Sequence, residues 1–255
     1  MRFTVNTKEF INGLELSALK GKYFSSTGLK SDSLSDNAFL VFEENQLMIF
    51  NGNDATALCV KLQTEEEQDT RSGSAVIPIK KTVDYLKKMG EISEIAVGDF
   101  VVISSGENRV QVPSIAEHEA GGFISLFRNN YMEYNLESEE ITYGRDSKEY
   151  QTILTVSGDE FSNAIQLCEI TNSGIYKLDV NEETFTISSE NGIEKFETRP
   201  AAVFQKSEEA TVEFTAPLHK LFPKDETIKI CFNDNTPIFI IGENAKVLRA
   251  PYVQP

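Results

Sequence analysis

The sequence predicts an α+β protein made of two similar halves, and three observations carry that prediction. A short strand followed by an amphipathic helix opens the chain, and the same unit returns at Thr155. Short strands joined by Gly-, Asn- and Asp-containing turns fill the rest of each half. Between the halves, residues 113–150 carry neither a helical nor a strand period, yet hold Phe123, Leu126, Phe127, Tyr131, Tyr134 and Tyr143. So long a stretch without periodicity is usually a functional loop or a linker, and this one is too apolar for a solvated tether.

In chain order, Phe3-Thr4-Val5 is a strand signal. Asn6 or Thr7 then caps a helix that carries Phe10 and Leu14 at i, i+4 and runs to about Leu19. Gly21 to Asp36 is a Ser-, Gly- and Asp-rich loop. Ala38 to Phe42 and Leu47 to Phe50 form a hairpin about Glu43-Glu44-Asn45, and Asn51-Gly52-Asn53-Asp54 turns into a strand over Ala57 to Leu62. Glu65-Glu66-Glu67 with Asp69 reads as a solvated loop. A second strand, Ala75 to Pro78, leads into a helix over Ile79 to Met89. The strands Ile92 to Val97, Phe100 to Ile103 and Arg109 to Val112 follow, separated by Gly98-Asp99 and Gly106-Glu107-Asn108 turns.

The second half repeats the first. Residues 4–16 lie over residues 155–167 without a gap, matching at Thr, Val, Glu, Phe, Asn and the final Leu, where chance supplies about one match. Ile175 to Val180 and Phe185 to Ser188 form a hairpin like the one at Ala38 to Phe50, and Ile240-Ile241-Gly242-Glu243-Asn244 echoes Ile103 to Asn108. The second helix of this half, Ala216 to Phe222, is cut short by Pro217 and Pro223.

Length and charge bound the function. At 255 residues, and about 150 per domain, the chain leans toward two domains. No apolar run approaches the roughly 18 residues of a membrane span, and MRFTVNTKEF lacks the regions of a signal peptide, so a cytoplasmic protein is expected. Cys59, Cys168 and Cys231 are far apart, among apolar residues and without a C-x-x-C, which predicts buried free thiols. The net charge of −16 excludes a protein that grips nucleic acid through its whole surface, but not one with a local basic face.

Such a face exists on the helix predicted over Ile79 to Met89. At about 100° per residue, Lys80, Lys81, Lys87 and Lys88 fall within an arc of about 120°, with Asp84 among them and Ile79, Val83 and Leu86 opposite. A solvated helix face and a sequence-independent phosphate contact both fit this stripe. Lys8, Lys20, Lys22 and Lys220 are further candidates. Catalytic and metal sites are not indicated. The sequence has no G-x-G-x-x-G and no phosphate loop, and His118 and His219 have no partner pattern and read as surface histidines.

The pattern resembles the DNA sliding clamps, the processivity factors of replicative polymerases. The resemblance rests on the duplicated domain and on Thr155-Val156-Ser157-Gly158-Asp159-Glu160-Phe161. It rests also on Thr227 to Phe232 with Asn235-Thr236-Pro237-Ile238, and on the tail Ala250-Pro251-Tyr252-Val253, all similar to clamps of the proliferating cell nuclear antigen type. Met1 to Val5 and Ala75-Val76-Ile77-Pro78 are more similar to bacterial clamps.

The resemblance implies two similar clamp domains, residues 1–118 and 151–255, joined by an interdomain connector over residues 119–150. Three copies of the chain would close a ring, with helices lining the inside and antiparallel sheets outside. It further implies a non-catalytic protein without cofactor or metal. Such a clamp encircles double-stranded DNA, is loaded by an ATP-dependent clamp loader, and tethers DNA polymerase and short peptide motifs of repair and replication proteins. It acts in the cytoplasm at the nucleoid, or in host cytoplasm if viral, with no membrane partner. The eight lysines above become DNA-facing candidates. The short second helix of the second half departs from the family. By position, subunit contacts fall on Arg109, Val110 and Val112 of one edge strand and on Ile193 and Phe196 of another, Ile193 to Thr198. The partner-peptide pocket falls on Leu126, Phe127 and Tyr131 with Ala250, Pro251, Tyr252 and Val253, and Ala55 and Thr56 contributing; the bland alternative is that the connector's side chains only pin it to the sheets. Two other readings stay open: an acidic DNA-mimicking or interaction module, and an enzyme with a site between the domains.

Overall fold

The computed structural model describes residues 2–18, 36–43, 46–52, 55–64, 73–114, 142–143, 148–182 and 184–252. These fall into two compact units. The first holds the described residues up to 114 except 55–56, and the second holds 55–56 and the described residues from 142 onward.

The first unit runs β1 (Arg2–Asn6), α1 (Thr7–Ser17), β2 (Asn37–Glu43), β3 (Gln46–Gly52), β4 (Thr56–Gln63), β5 (Gly73–Pro78), α2 (Ile79–Leu86), β6 (Ile92–Val97), β7 (Phe100–Ser105) and β8 (Asn108–Pro113). It contains two antiparallel sheets, β4-β3-β2-β5 and β1-β6-β7-β8. Phe10 and Leu14 of α1, Ile79, Val83 and Leu86 of α2, and Phe3, Val5, Ile95, Ile103 and Val112 of the second sheet are all buried. Phe3 stacks on Phe42 with ring centroids 5.0 Å apart, which ties the two sheets together. Gly13 lets α1 approach β3, since a Cβ there would lie 2.9 Å from Ile49 Cδ1.

The second unit begins with a two-stranded ladder, β9 (Thr142–Tyr143) and β10 (Lys148–Glu149). There follow β11 (Thr152–Ser157), α3 (Gly158–Glu169), β12 (Tyr176–Asn181), β13 (Thr184–Glu190), β14 (Lys195–Thr198), β15 (Ala202–Ser207) and β16 (Ala210–Phe214). A 3-10 turn (Leu218–Leu221), β17 (Thr227–Phe232), β18 (Ile238–Ile241) and β19 (Ala245–Arg249) complete it. Its sheets, β14-β13-β12-β16 and β11-β17-β18-β19, repeat the two sheets of the first unit strand for strand. β15 is an addition, paired to the free edge of β11 with a bulge between Ile153 and Leu154.

The repeat read from the sequence extends to hydrogen-bond detail. Asn6 Oδ1 accepts from the Lys8 and Glu9 N–H groups, and at the aligned position Ser157 Oγ accepts from the Glu160 N–H, so both helices start at equivalent residues. The next residues, Thr7 and Gly158, donate their N–H groups to Glu91 O and Glu226 O, both at 2.8 Å. Phe10 and Phe161, and Leu14 and Ile165, are equivalent fully buried pairs.

The structure corrects the sequence reading of the elements at several points. Helix α1 stops at Ser17, and α2 at Leu86 instead of Met89. Past Leu86 the chain tightens into 3-10 bonds, Lys88 N–H to Tyr85 O and Met89 N–H to Leu86 O, and Gly90 closes on Ser105 Oγ at 3.1 Å. Asn51 and Gly52 continue β3, opposite Leu58 and Ala57. At the end of the 113–150 stretch, residues 142–143 and 148–149 form the β9–β10 ladder, and fully buried Tyr150 donates its hydroxyl to Pro237 O. The helix expected over Ala216 to Phe222 is only the 3-10 turn, as its flanking prolines dictate. Ile193 lies outside β14, in a turn where Asn191 Oδ1 accepts from the Ile193 and Glu194 N–H groups.

Candidate nucleic-acid and partner interfaces

The lysine face is real in the first unit. Lys8 on α1, Lys80 and Lys81 on α2, and Lys88 just past its end are exposed and make no ion pair among the described residues. Lys87, the C-cap of α2, is exposed too, but its Nζ donates to Glu15 Oε1 of α1 at 2.8 Å. That hydrogen bond, with the charge of the same carboxylate, raises the Lys87 pKa. Ile79, Thr82, Val83 and Leu86 form the buried side of α2, so its cations are on the solvent side.

The second unit differs. The outward positions of α3 are Asp159, Glu160, Asn163, Gln166 and Leu167, none of them a cation. Lys220 on the 3-10 turn lies 3.8 Å from Glu169, and Lys224 lies 3.4 Å from Asp159 while donating to Asn163 Oδ1. Lys20 and Lys22 lie outside the described residues.

Two sheet edges that are unpaired among the described residues carry the candidate subunit contacts. β8 ends the first unit's β1-β6-β7-β8 sheet, and β14 ends the second unit's β14-β13-β12-β16 sheet. Val110 and Phe196 are half-buried on these edges, Arg109 is exposed, and Ile193 is 95% exposed in its turn. Val112 is removed from the candidate surface: its side chain points to the opposite side from Arg109 and Gln111 and is fully buried in its own unit's core.

Of the candidate pocket, Leu126, Phe127, Tyr131 and Val253 lie outside the described residues. The rest come together in the second unit. Ala250 donates its N–H to Ala55 O at 2.8 Å, and Tyr252 donates to Glu213 O of β16 at 2.7 Å, leaving Ala250, Pro251 and Tyr252 half-buried. Thr56 is fully buried, so it supports this tail from beneath instead of lining a surface. The support is Arg249, only 2% exposed, whose Nη1 donates to Thr56 Oγ1 and Nη2 to Thr215 Oγ1. Nothing local in the sequence marks Arg249 as buried.

An unforeseen open groove of about 720 Å³ lies on the solvent face of β12, β13 and β14. Each of its cations is matched by a carboxylate: Lys177 by Asp179, and Lys195 and Arg199 by Glu197. It offers no apolar anchor site comparable to the tail.

The reactive groups are muted. Cys59, Cys168 and Cys231 are buried free thiols as expected, and burial pushes Cys168 and Cys231 up to about 12, far from nucleophilic thiolates at neutral pH. His219 is a correction: it is 4% exposed, because the 3-10 turn directs it inward. Burial, then the charges of Lys220 and Lys224, lower it to about 4. His118 lies outside the described residues. No group of three or more His, Cys, Asp or Glu side chains among the described residues is arranged to hold a metal, and no helix there is long and apolar enough to cross a membrane.

Solved structures identify the fold. The chain is similar over its whole length to a sliding clamp, DNA polymerase III subunit beta, from Pseudomonas aeruginosa bound to griselimycin (TM-score 0.74, 13% identity, 66% of that chain covered). It is likewise similar to the Helicobacter pylori beta clamp bound to a DNA ligase peptide (0.70, 12%, 67%) and to A. fulgidus PCNA bound to the C-terminal region of FEN-1 (0.72, 14%, 99%). The chain thus has the DNA sliding-clamp fold, α+β with duplicated clamp domains. It spans 64 to 66% of the first bacterial clamp chains it matches, but 99% of the A. fulgidus chain. No family model and no curated protein matches the sequence.

Proposed function

We propose that this protein is a sliding clamp that encircles duplex DNA as a homotrimer and tethers a replicative polymerase and other DNA-processing partners, without catalysis of its own. The observation that carries the reading is a clamp-fold chain of net charge −16 in which Lys80 and Lys81 on α2, and Lys88 just past its end, are exposed and make no ion pair among the described residues. An acidic exterior is repelled by DNA, while a few equivalent lysines attract phosphates at any register, which suits sliding better than gripping. The trimer reading is supported by the 99% coverage of the A. fulgidus clamp chain and by two strand edges, β8 and β14, that are unpaired among the described residues and suited to pair between copies.

Partner peptides would dock at Ala250, Pro251 and Tyr252, with Leu126, Phe127, Tyr131 and Val253 as further walls. The support is a tail fixed by backbone bonds to Ala55 and Glu213, together with the ligase and FEN-1 peptides carried by two structures of the same fold. DNA loading would need an ATP-dependent loader, and the site of action is the cytoplasm. The test is polymerase extension on a long primed template, with and without the protein and a loader. Longer products are expected, and no gain in length refutes the reading. The net charge also supports an acidic interaction module, which predicts a monomer or dimer and no loader dependence.

A further inference from the structure

Resting on the clamp reading, we infer that phosphate contact is one-sided: the helices of the first unit hold the DNA, and those of the second are electrostatically silent toward it. In the first unit four lysines, Lys8, Lys80, Lys81 and Lys88, are exposed with no carboxylate partner among the described residues. In the second unit both lysines near the helix are already engaged by α3, Lys220 with Glu169 at 3.8 Å and Lys224 with Asp159 at 3.4 Å and with Asn163 Oδ1 at 3.2 Å. A phosphate reaching either must displace a carboxylate that stays beside it and repels it.

The rest of the α3 face adds no attraction. Asp159 and Glu160 occupy its first turn, where they cancel the positive helix end that would otherwise favour a phosphate. Its far end exposes Leu167 at 44% and, at the C-cap, Ile170 at 67%. The replacement of the second helix by a 3-10 turn removes the element that carries the lysines in the first unit. In a ring of three copies, the duplex is then held by the lysine-bearing helices of three first units, instead of by a continuous basic lining.

The test is the salt dependence of binding by the full chain to a short fluorescein-labelled linear duplex, followed by anisotropy over a series of NaCl concentrations. The slope of log K against log [NaCl] counts displaced counterions at about 0.9 per neutralised phosphate. Lys80→Ala, Lys81→Ala and Lys88→Ala are each expected to flatten the slope, and Lys220→Ala and Lys224→Ala to leave it unchanged. The paired change Asp159→Asn with Glu169→Gln frees both lysines and is expected to steepen it. A flattening by Lys220→Ala or Lys224→Ala equal to that of Lys80→Ala overturns the one-sided contact while leaving the clamp reading intact. A wild-type protein with no salt-dependent binding, and no gain in polymerase product length, overturns the clamp reading itself. Circular dichroism of each variant separates loss of charge from loss of fold.

Discussion

Among the glycines of the described residues, Gly158 is the one where an added Cβ would meet a backbone atom most closely. A Cβ there would lie 2.2 Å from Pro223 O and 3.2 Å from Glu226 O. The first unit shows why this is specific: the aligned residue is Thr7, whose side chain fits and bonds Ser93 Oγ at 2.7 Å. In the second unit the chain leaving the 3-10 turn brings the Pro223 carbonyl into that space. An alanine must push away a backbone oxygen by about 1 Å to reach ordinary contact distance. Overpacking of this kind costs about 1–3 kcal/mol. The same movement strains the Gly158 N–H bond to Glu226 O, worth about 1 kcal/mol more, so Gly158→Ala should lose about 2–4 kcal/mol. Gly98→Ala is the control, with nothing within 4 Å of its Cβ and an expected change of no more than about 0.5 kcal/mol. Urea unfolding followed by circular dichroism reads both as shifts of midpoint at constant slope. A Gly158→Ala midpoint within error of wild type, or an equal loss at Gly98→Ala, refutes the reasoning.

Other outcomes are expected from single sites. Val110→Glu or Phe196→Glu should lower the mass seen by light scattering from three chains toward one, and a variant that stays trimeric counts against β8 and β14 as the joined edges. Tyr252→Ala should keep the trimer but lose polymerase stimulation; unchanged stimulation favours a tail that merely pins the chain. His219, held near 4 against an ordinary 6.5, is favoured neutral in the fold. Its contribution is therefore intact above pH 6.5 and lost as pH falls toward 4, by at most about 1.4 kcal/mol per pH unit. His219→Leu should flatten the acid side of the stability profile relative to wild type, and parallel profiles would show that the imidazole is not protected from protonation.

What could be read from the sequence is what local chemistry encodes. The cap residue Asn6, the aligned Phe10 and Phe161, and the hairpins all follow from spacing within one turn or one strand, and duplication strengthens the signal. The lysine face of α2 was legible for the same reason. Its modulation was not: Glu15 lies 72 positions from Lys87, and Glu169 and Asp159 reach Lys220 and Lys224 from another element. Arg249 was invisible because its partners, Thr56 and Thr215, are 193 and 34 residues away. Ile193 falls outside the strand because Asn191-Gly192 makes a turn there, with Gly192 at φ +86°; the resemblance places the edge strand by position alone and carries no information on that turn. His219 was misread because a proline-bounded 3-10 turn has no helical period from which to judge its buried side.

The central claim is topological, and the direct measurement is retention on DNA with and without free ends. The protein is loaded onto a nicked circular duplex with an ATP-dependent loader, separated from free protein by gel filtration in moderate salt, and run again after a single restriction cut. Encirclement predicts that the protein co-elutes with the circle and is lost once the DNA is linear. Equal retention on both forms, or none on the circle, contradicts it.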